Sequence, residues 1–483
     1  MPYGFARRNG VVLNALPEGG LECTHRGAPS LETLIELQRI ACADFHLVPA
    51  SESEFQEVLQ RIYRDRASEA AEAAAAADTD LTRLADTAAG VDDLLDQSDD
   101  SPIVRLINAL LLEAVKEGAS DIHVETQEKR VMVRFRIDGV LRDVIEPKRS
   151  LGPLLVSRIK VMARLDIAEK RLPHDGRVTL SVGGREIDVR VSTVPSQYSE
   201  RVVMRLLDRG ATQHDLTSLG MSARDLAVFE RMLKRPNGIL LVTGPTGSGK
   251  TTTLYAALSR LNDRTRNIMT VEDPIEYAVE GVGQIQVNAR TDLTFARGLR
   301  AILRQDPDVI MVGEIRDAET AQIAVQSSMT GHFVMSTLHT NSAIGSVTRL
   351  IDMGVERFLL APMLCGLVAQ RLVRRLCAAC TEAYPATEAD RHMMAGAIKI
   401  GETLYKPVGC TACRNEGYRG RLAIYEVVEV SGALEAMIHA GVSEADLVKA
   451  AREAGPSLIE DGASKLRAGL TSIEEIVRVV RDD

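Results

Sequence analysis

The stretch Gly244-Pro245-Thr246-Gly247-Ser248-Gly249-Lys250-Thr251 constrains the fold most, because a glycine, four residues and then Gly-Lys-Thr is the phosphate-loop pattern. The apolar run Ile239-Leu240-Leu241-Val242 precedes it, and Thr252 to Leu258 can follow as a helix. This strand, loop and helix order is what the pattern requires. The glycines let the backbone close around phosphate oxygens, and the loop N–H groups with the helix N-terminus make an anion site. Lys250 is placed to reach β- and γ-phosphates, and the Thr251 hydroxyl to hold Mg²⁺. All eight residues are therefore candidate nucleotide contacts.

At 483 residues the chain is long for one domain, and its 45% hydrophobic and 26% charged residues are those of a globular protein. A net charge of -9 argues against coating nucleic acid, which needs a concentrated basic surface. The longest uncharged apolar stretch, Phe358 to Gln370, contains Pro362 and Gly366 and falls short of a membrane span. Met1 to Arg8 lacks the apolar core of a signal peptide. The expectation is a soluble cytoplasmic protein, with any hold on a membrane supplied by a partner.

Residues 1–66 carry apolar positions at helical spacing, Leu31, Leu34, Ile35 and Phe55, Val58, Leu59, Ile62, with Ser51 and Glu54 suited to a capping box. From 67 to 100 an alanine run gives way to repeated aspartates, which suggests a linker with some helix. A second domain, 101–210, opens with a helix and continues as strands over Arg130–Ile137, Arg177–Val182, Ile187–Val191 and Val202–Leu207, with turns at Asp138-Gly139 and Gly183-Gly184. This is an α+β domain. Its far end is dense in arginine, including Arg171, Arg177, Arg185, Arg190, Arg201 and Arg205, each a solvated side chain alone and together a candidate phosphate surface. The nucleotide domain spans 211–483, with further strands Ile268–Val271, Val309–Val312 and Phe333–Thr337 in the rhythm of a helix-covered parallel sheet.

Ligands of such sheets collect at the carboxyl ends of the strands, and suitable groups lie there. Glu272-Asp273-Pro274-Ile275-Glu276 offers carboxylates for Mg²⁺ and its waters, and Glu314 can orient or deprotonate a water. Either His332 or His339, flanking the third strand, can sense the γ-phosphate. Arg297, Arg300 and Arg304 share a helical face, read either as a salt-bridged surface or as cations beside ATP. One departure is visible: Gly313-Glu314 stands where phosphate-loop NTPases usually carry an Asp, so Mg²⁺ binding falls to Thr251 and the 272–276 carboxylates.

Cys377-x-x-Cys380 and Cys410-x-x-Cys413 have the knuckle spacing of a structural Cys₄ Zn²⁺ site, expected as a module over 371–424, with helices packing onto the domain over 425–483.

Taken together, the phosphate loop, Thr270 to Tyr277, Gly313 to Asp317, Thr330-Gly331-His332, Ser336 to Asn341 and the cysteine pairs resemble the secretion ATPase superfamily of type II secretion and type IV pili. In that family these are the Walker A motif, Asp box, Walker B motif, His box and tetracysteine motif. Gly118 to His123 and Asp175-Gly176-Arg177 fit its second domain, and Pro2 to Arg8 looks most like the general secretory pathway protein E branch. The resemblance covers nearly the whole chain. It implies an α/β fold with a RecA-like ATPase domain, a PAS-like second domain, a small helical N-terminal domain and a Cys₄ zinc insertion. It further implies a homohexameric ring that hydrolyses ATP with Mg²⁺ to drive pseudopilus assembly, docking through its first domain on the inner-membrane protein L and acting with the platform protein F. Arg190 and Arg205 match second-domain arginines that approach the γ-phosphate, Glu314 the catalytic glutamate, and Arg300, Arg304 and Arg316 arginines divided between phosphate contact and subunit coupling. Tyr198-Ser199-Glu200 departs from the family, which usually has Gly before this Glu. The alternatives are a pilus-assembly ATPase, a nucleotide-gated scaffold without turnover, and a nucleic-acid translocase, which the acidic balance disfavours.

Overall fold

The computed structural model describes residues 9–15, 21–41, 45–52, 54–55, 58, 81, 102–182, 185–208 and 215–480. The opening residues 2–8, Cys42, Leu59, Ile62, the Gly183-Gly184 turn and the expected linker apart from Leu81 lie outside them. The chain divides into two compact units, Met1–Gly210 and Ala211–Asp483.

In the first unit, β1 (Val11–Ala15) pairs antiparallel with β2 (Leu21–His25), and β2 pairs parallel with β3 (Phe45–Pro49). A parallel pair needs a crossover, and the helix Leu31–Ala41 supplies it. Among the described residues the N-terminal region thus combines helix with a small three-stranded sheet and is not helical throughout. Five-residue strands are too short to show a period against the stronger helical pattern around them. Ser51 and Glu54 form the expected reciprocal cap, with Glu54 N–H to Ser51 Oγ at 3.3 Å and Ser51 N–H to Glu54 Oε2 at 2.9 Å.

A six-stranded antiparallel sheet follows, built from β4 (Ala119–Thr126), β5 (Val131–Ile137), β6 (Val140–Ile145), β7 (His174–Val182), β8 (Arg185–Pro195) and β9 (Glu200–Asp208), in the order β6-β5-β4-β9-β8-β7. Asp138 and Gly139 both take positive φ, 50° and 86°, as the tight hairpin between β5 and β6 requires. One sheet face, with Ile122, Val124, Phe135, Val189 and Met204, packs under the helices Pro102–Lys116 and Leu151–Met162. Leu81, expected in the linker, is half-buried against this core. At the unusual turn, Ser196 N–H bonds Ser199 carbonyl at 2.9 Å and Pro195 pairs with Glu200, so a hairpin forms without the glycine. Glu200 is held from beneath by the fully buried Lys160, whose Nζ lies 2.7 Å from Glu200 Oε1 and 2.6 Å from the Glu169 carbonyl.

The second unit is built on a seven-stranded sheet. Its strands are β10 (Gly238–Thr243), β11 (Ile268–Glu272), β12 (Val282–Gln286), β13 (Val309–Val312), β14 (Phe333–Leu338), β15 (Leu364–Leu376) and, after the short β16 (Glu382–Pro385) and β17 (Thr403–Lys406) hairpin, β18 (Tyr418–Glu429). The order is β12-β11-β13-β14-β10-β15-β18, parallel except for β15 with β18. Successive residues supply opposite cores: Ile239, Leu241, Ile310 and Val334 face one, and Leu240, Val242, Met311 and Met335 the other. Burial on both faces is why these strands read as unbroken apolar runs. The sequence window expected as the zinc module begins and ends inside the sheet, since Arg371–Leu376 belongs to β15 and Tyr418–Ile424 to β18. Tyr425–Glu429, expected within the helical tail, is strand as well, because Tyr425 and Val427 fill one core while Ile424 and Val428 fill the other. Four helices, Gly432–Ala440, Glu444–Ala454, Leu458–Arg467 and Ile473–Val480, complete the chain.

Removing one member of a buried ion pair leaves the other charge uncompensated. Lys160→Ala is expected to destabilise the second domain by about 3 kcal/mol. Urea unfolding of the full chain, with hydrogen exchange at β9 as the local probe, measures the loss.

Candidate nucleotide site and cysteine cluster

The parallel register puts the functional groups on one edge of the sheet. Thr243 stands opposite Leu338, Val312 opposite Ser336, and Val271 opposite Val312, so the segments after β10, β11, β13 and β14 all leave from the carboxyl edge. The phosphate loop runs from Thr243 to Gly249 and feeds the helix Lys250–Leu261. Gly244 has φ 147°, and a Cβ there would meet the Gln370 carbonyl oxygen at 2.4 Å; at Gly249, φ 88°, it would meet Gln370 Nε2 at 2.7 Å. No other residue fits these two positions. Lys250 Nζ donates to the carbonyls of Gly244 at 2.7 Å and Pro245 at 3.0 Å, and Ser248 Oγ is buried with no hydrogen-bond partner among the described residues. An orphaned hydroxyl inside a ring of backbone N–H groups at a helix N-terminus suits phosphate oxygens.

Glu314, next to Gly313 at the end of β13, is clamped by its neighbours. Gly313 N–H bonds Val271 carbonyl at 2.8 Å, Ile315 N–H bonds Thr337 carbonyl at 3.0 Å, and Thr337 Oγ1 donates to Gly313 carbonyl at 2.8 Å. The Glu314 carboxylate pairs with Arg316 Nη2 through one oxygen and with His339 Nε2 at 3.3 Å through the other. Arg316 reaches on to Asp273 Oδ2 at 4.0 Å. His339 is placed by Thr340, whose N–H bonds Thr243 Oγ1 at 2.9 Å. The structure thus gathers Glu314, His339, Arg316 and Asp273 beside the phosphate loop.

Other expected residues are placed elsewhere. His332 precedes β14 and lies at the amino edge, where its carbonyl accepts from Gly238 N–H at 3.3 Å and its Nδ1 sits 2.8 Å from the Ser327 carbonyl. Five strand steps, roughly 17 Å, separate that edge from Thr243. His332 therefore belongs to the wrong end of the sheet to sense a phosphate in its own loop. Arg300 pairs with Glu319 at 2.6 Å, and Arg304 Nη1 donates to Arg300 carbonyl at 2.8 Å. Arg304 also adjoins Gln305 and Asp306, whose carbonyls bond the Asn267 side chain just ahead of β11, again at the amino edge. Glu272 is buried, with Tyr255, Thr270 and Gln284 as its partners. In the other unit, Arg190 stands directly opposite both Arg177 and Arg205, and Arg205 opposite Asp121 and bonded to it at 2.9 Å. Val189, Val191 and Met204 face the core, so this arginine row lies on the opposite sheet face.

Gln370 and Arg371 adjoin the phosphate loop, although sequence reasoning gave them no place there. The Gln370 side chain accepts from Thr253 Oγ1 at 2.7 Å, behind the loop. The Arg371 guanidinium, 3% exposed, donates to the carbonyls of Asn341 at 2.8 Å and Val479 at 3.1 Å, tying the His339 segment and the C-terminal helix to the loop. Strand β15 carried no motif, and only the parallel pairing of β15 with β10 brings both residues there.

The four cysteines Cys377, Cys380, Cys410 and Cys413 converge, all sulfurs lying within 4.8 Å of one another. Separations of 3.9 Å (Cys377–Cys410), 3.6 Å (Cys380–Cys413) and 3.7 Å (Cys410–Cys413) match the edge, about 3.8 Å, of a tetrahedron with 2.3 Å metal–sulfur bonds. The N–H groups of Cys410 and Gly417 point at Cys413 Sγ, at 3.2 and 3.1 Å. Burial pushes the Cys413 thiol up, yet these donors, with the neighbouring Cys380 and Cys410 thiols, outweigh it and hold the group below its usual value. The site fits a closed, four-coordinate metal.

Burial lowers the Lys250 ammonium from 10.5 to about 8, with Glu314 raising it and Arg371 lowering it further. Between these values the folded chain binds fewer protons at this amine than the unfolded chain, so its contribution to stability rises with pH across that window. Phosphates favour the ammonium and must bring a proton with them above about pH 8. Nucleotide affinity is expected to be flat below pH 8 and to fall above it by at most about tenfold per pH unit, measured by titration calorimetry from pH 7 to 9.5.

Among the described residues no helix is long and apolar enough to cross a membrane. A family profile described as "Type II/IV secretion system protein" matches residues 96–478, and a profile for an N-terminal domain of "GSPII protein E" matches residues 1–63. The chain is 56% identical to the type II secretion system protein E of Pseudomonas aeruginosa, with 100% of this chain and 96% of the relative covered. It is 54% identical to the type II secretion system ATPase E of Vibrio cholerae, with 100% and 97% covered. Among solved structures, the pilus retraction motor PilT with bound ADP is similar at a TM-score of 0.53 and 26% identity, over 77% of this chain and 96% of that one.

Proposed function

Because the chain belongs to the type II/IV secretion system protein family, we propose that its carboxyl-edge cluster is the ATP-hydrolysing centre of a type II secretion motor. The observation that carries this is Glu314, held between His339 and Arg316 at the mouth of the phosphate loop. A carboxylate fixed by two cationic or proton-donating neighbours, and clamped through Gly313 and Ile315, is placed to orient a water and take its proton. Lys250, partly desolvated, gives up its bonds to the loop carbonyls for phosphate oxygens and offsets their charge. Thr251 and Asp273 are the residues to hold Mg²⁺, which supplies charge neutralisation at the β- and γ-phosphates.

The arginine row Arg177, Arg190 and Arg205 offers guanidinium groups suited to the γ-phosphate, as the family resemblance implies for Arg190 and Arg205. Arg300, paired with Glu319, and Arg304, near the amino edge, serve contacts between subunits of a homohexamer. The 1–63 segment docks on the inner-membrane protein L, and the ring works with the platform protein F to drive pseudopilus assembly. Full-length relatives named for type II secretion favour this reading over pilus assembly.

The metal at the four cysteines is Zn²⁺, bound structurally, since four thiolates leave no open position. It closes the excursion between β15 and β18.

Glu314→Gln removes the proton acceptor while keeping the shape of the side chain. Phosphate release by the assembled protein is expected to fall about 100-fold or more, with nucleotide affinity nearly unchanged. Wild-type protein that releases no phosphate when assembled with the L fragment would favour the scaffold. Elemental analysis of the wild type is expected to find one zinc per chain, and Cys410→Ser to abolish it and lower the melting temperature; a metal-free wild type that melts normally would exclude the structural role.

A further inference from the structure

Tyr255 joins the phosphate-loop helix to the acidic loop, and none of the steps above uses it. It lies five residues beyond Lys250 on the same helix and is fully buried. Its hydroxyl donates to Glu272 Oε2 and accepts the backbone N–H of Glu276 at 3.3 Å. The other Glu272 oxygen takes Thr270 Oγ1 at 2.6 Å and Gln284 Nε2 at 3.1 Å, and that same amide lies 3.4 Å from Tyr255 Oη. The rings of Tyr255 and Tyr277 rest on each other with centroids 4.5 Å apart. A single side chain therefore grips residues 272, 276 and 277 of the loop that carries Asp273.

We propose that Tyr255 is a positioning residue for hydrolysis, acting through Glu272 to set the 272–276 loop, and with it Asp273, relative to the phosphate loop. A hydroxyl donated to a buried carboxylate is a strong bond. Burial and the Glu272 charge both raise the Tyr255 phenol, so the group remains a donor at all working pH values. Asp273 itself meets Arg316 at 4.0 Å, and the loop around it is held from β12, by the Ile275 N–H bond to Gln286 Oε1 at 3.4 Å and the Gln284 Nε2 bond to the Tyr277 carbonyl at 3.1 Å, and from the phosphate-loop helix by Tyr255. Displacing a reacting group by on the order of 1 Å costs up to about 100-fold in rate.

The inference rests on the ATPase reading and is tested on the full chain with Tyr255→Phe, Glu272→Gln and the double variant. Phe keeps the ring contact with Tyr277 and removes only the donor. The expected result for Tyr255→Phe is a fall in kcat of about 10- to 100-fold, with KM and fluorescent-ADP affinity within about twofold of wild type. In the Glu272→Gln background the same change should add less than about twofold, because the two residues act as one unit. An unchanged kcat in Tyr255→Phe, wild-type turnover in Glu272→Gln, or penalties that multiply in the double variant would each overturn the proposal. If Tyr255→Phe does not fold, Gln284→Met removes the amide shared by the same two groups; a loss confined to kcat supports the proposal, and unchanged kcat overturns it. Wild-type protein without turnover defeats the ATPase reading and this inference together. Wild-type turnover with a normal Tyr255→Phe defeats the inference alone.

Discussion

The backbone pairing of β10 with β14 on one side and β15 on the other is the interaction on which the rest of the site depends. Parallel pairing in register aligns Thr243 with Leu338 and Ala369, so the phosphate loop, the His339 segment and the Gln370-Arg371 pair emerge at one level. The side chains then act on groups already side by side. The Thr243 hydroxyl needs no reach to meet Thr340 N–H, and Gly244 lies against Gln370 closely enough to exclude a Cβ. A slip of one residue in either ladder would turn each of these groups to the other face.

The same edge gathers charge of both signs. Lys250 and Arg371, both buried, bring two cations to the loop, and Glu314 answers them while pairing with the exposed Arg316 and His339. Desolvation strengthens the interactions of Lys250 and Arg371, and makes an unpaired charge there costly. A bound triphosphate would satisfy the Lys250 ammonium, the Ser248 hydroxyl and the loop N–H groups together, which is the physical reason a loop of this kind favours anions over neutral ligands.

The cysteine cluster solves a different problem. Strands β15 and β18 are long, antiparallel and separated by an excursion that holds the β16–β17 pair, the short helix Glu388–Met393 between them and a 3₁₀ turn at Thr411–Cys413. Ala386, Met394, Ile398 and Leu404 dock its middle on the main core, whereas at the cysteine end, where Val408 is exposed, a metal held by the four thiolates would supply the order. The Arg374 guanidinium, 4.0 Å from the Tyr418 ring and bonded to the buried Glu475, fastens the base of this excursion to the last helix.

The chain's order of elements was largely legible in its residues, because a phosphate loop, apolar strands and Cys-x-x-Cys pairs are local patterns whose chemistry follows from spacing alone. Glu314 and Asp273 stand just beyond apolar runs that read as buried strands, Arg316 was singled out only through the family resemblance, and the two histidines were left as alternatives. What the residues could not carry was which end of a strand a group would occupy in space and what would be packed behind it. His332 and His339 look equivalent in sequence, yet parallel register places one at the amino edge and the other beside Glu314. Glu272 and Asp273 are adjacent, yet the strand's alternation buries the first against Tyr255 and leaves the second near Arg316. Gln370 and Arg371 belong to no motif and become part of the site through strand pairing across more than 100 residues of sequence. Local chemistry was thus determined by the sequence itself, whereas the partners of each group were decided by the sheet, since hydrogen-bond register is a long-range property that no window of residues contains.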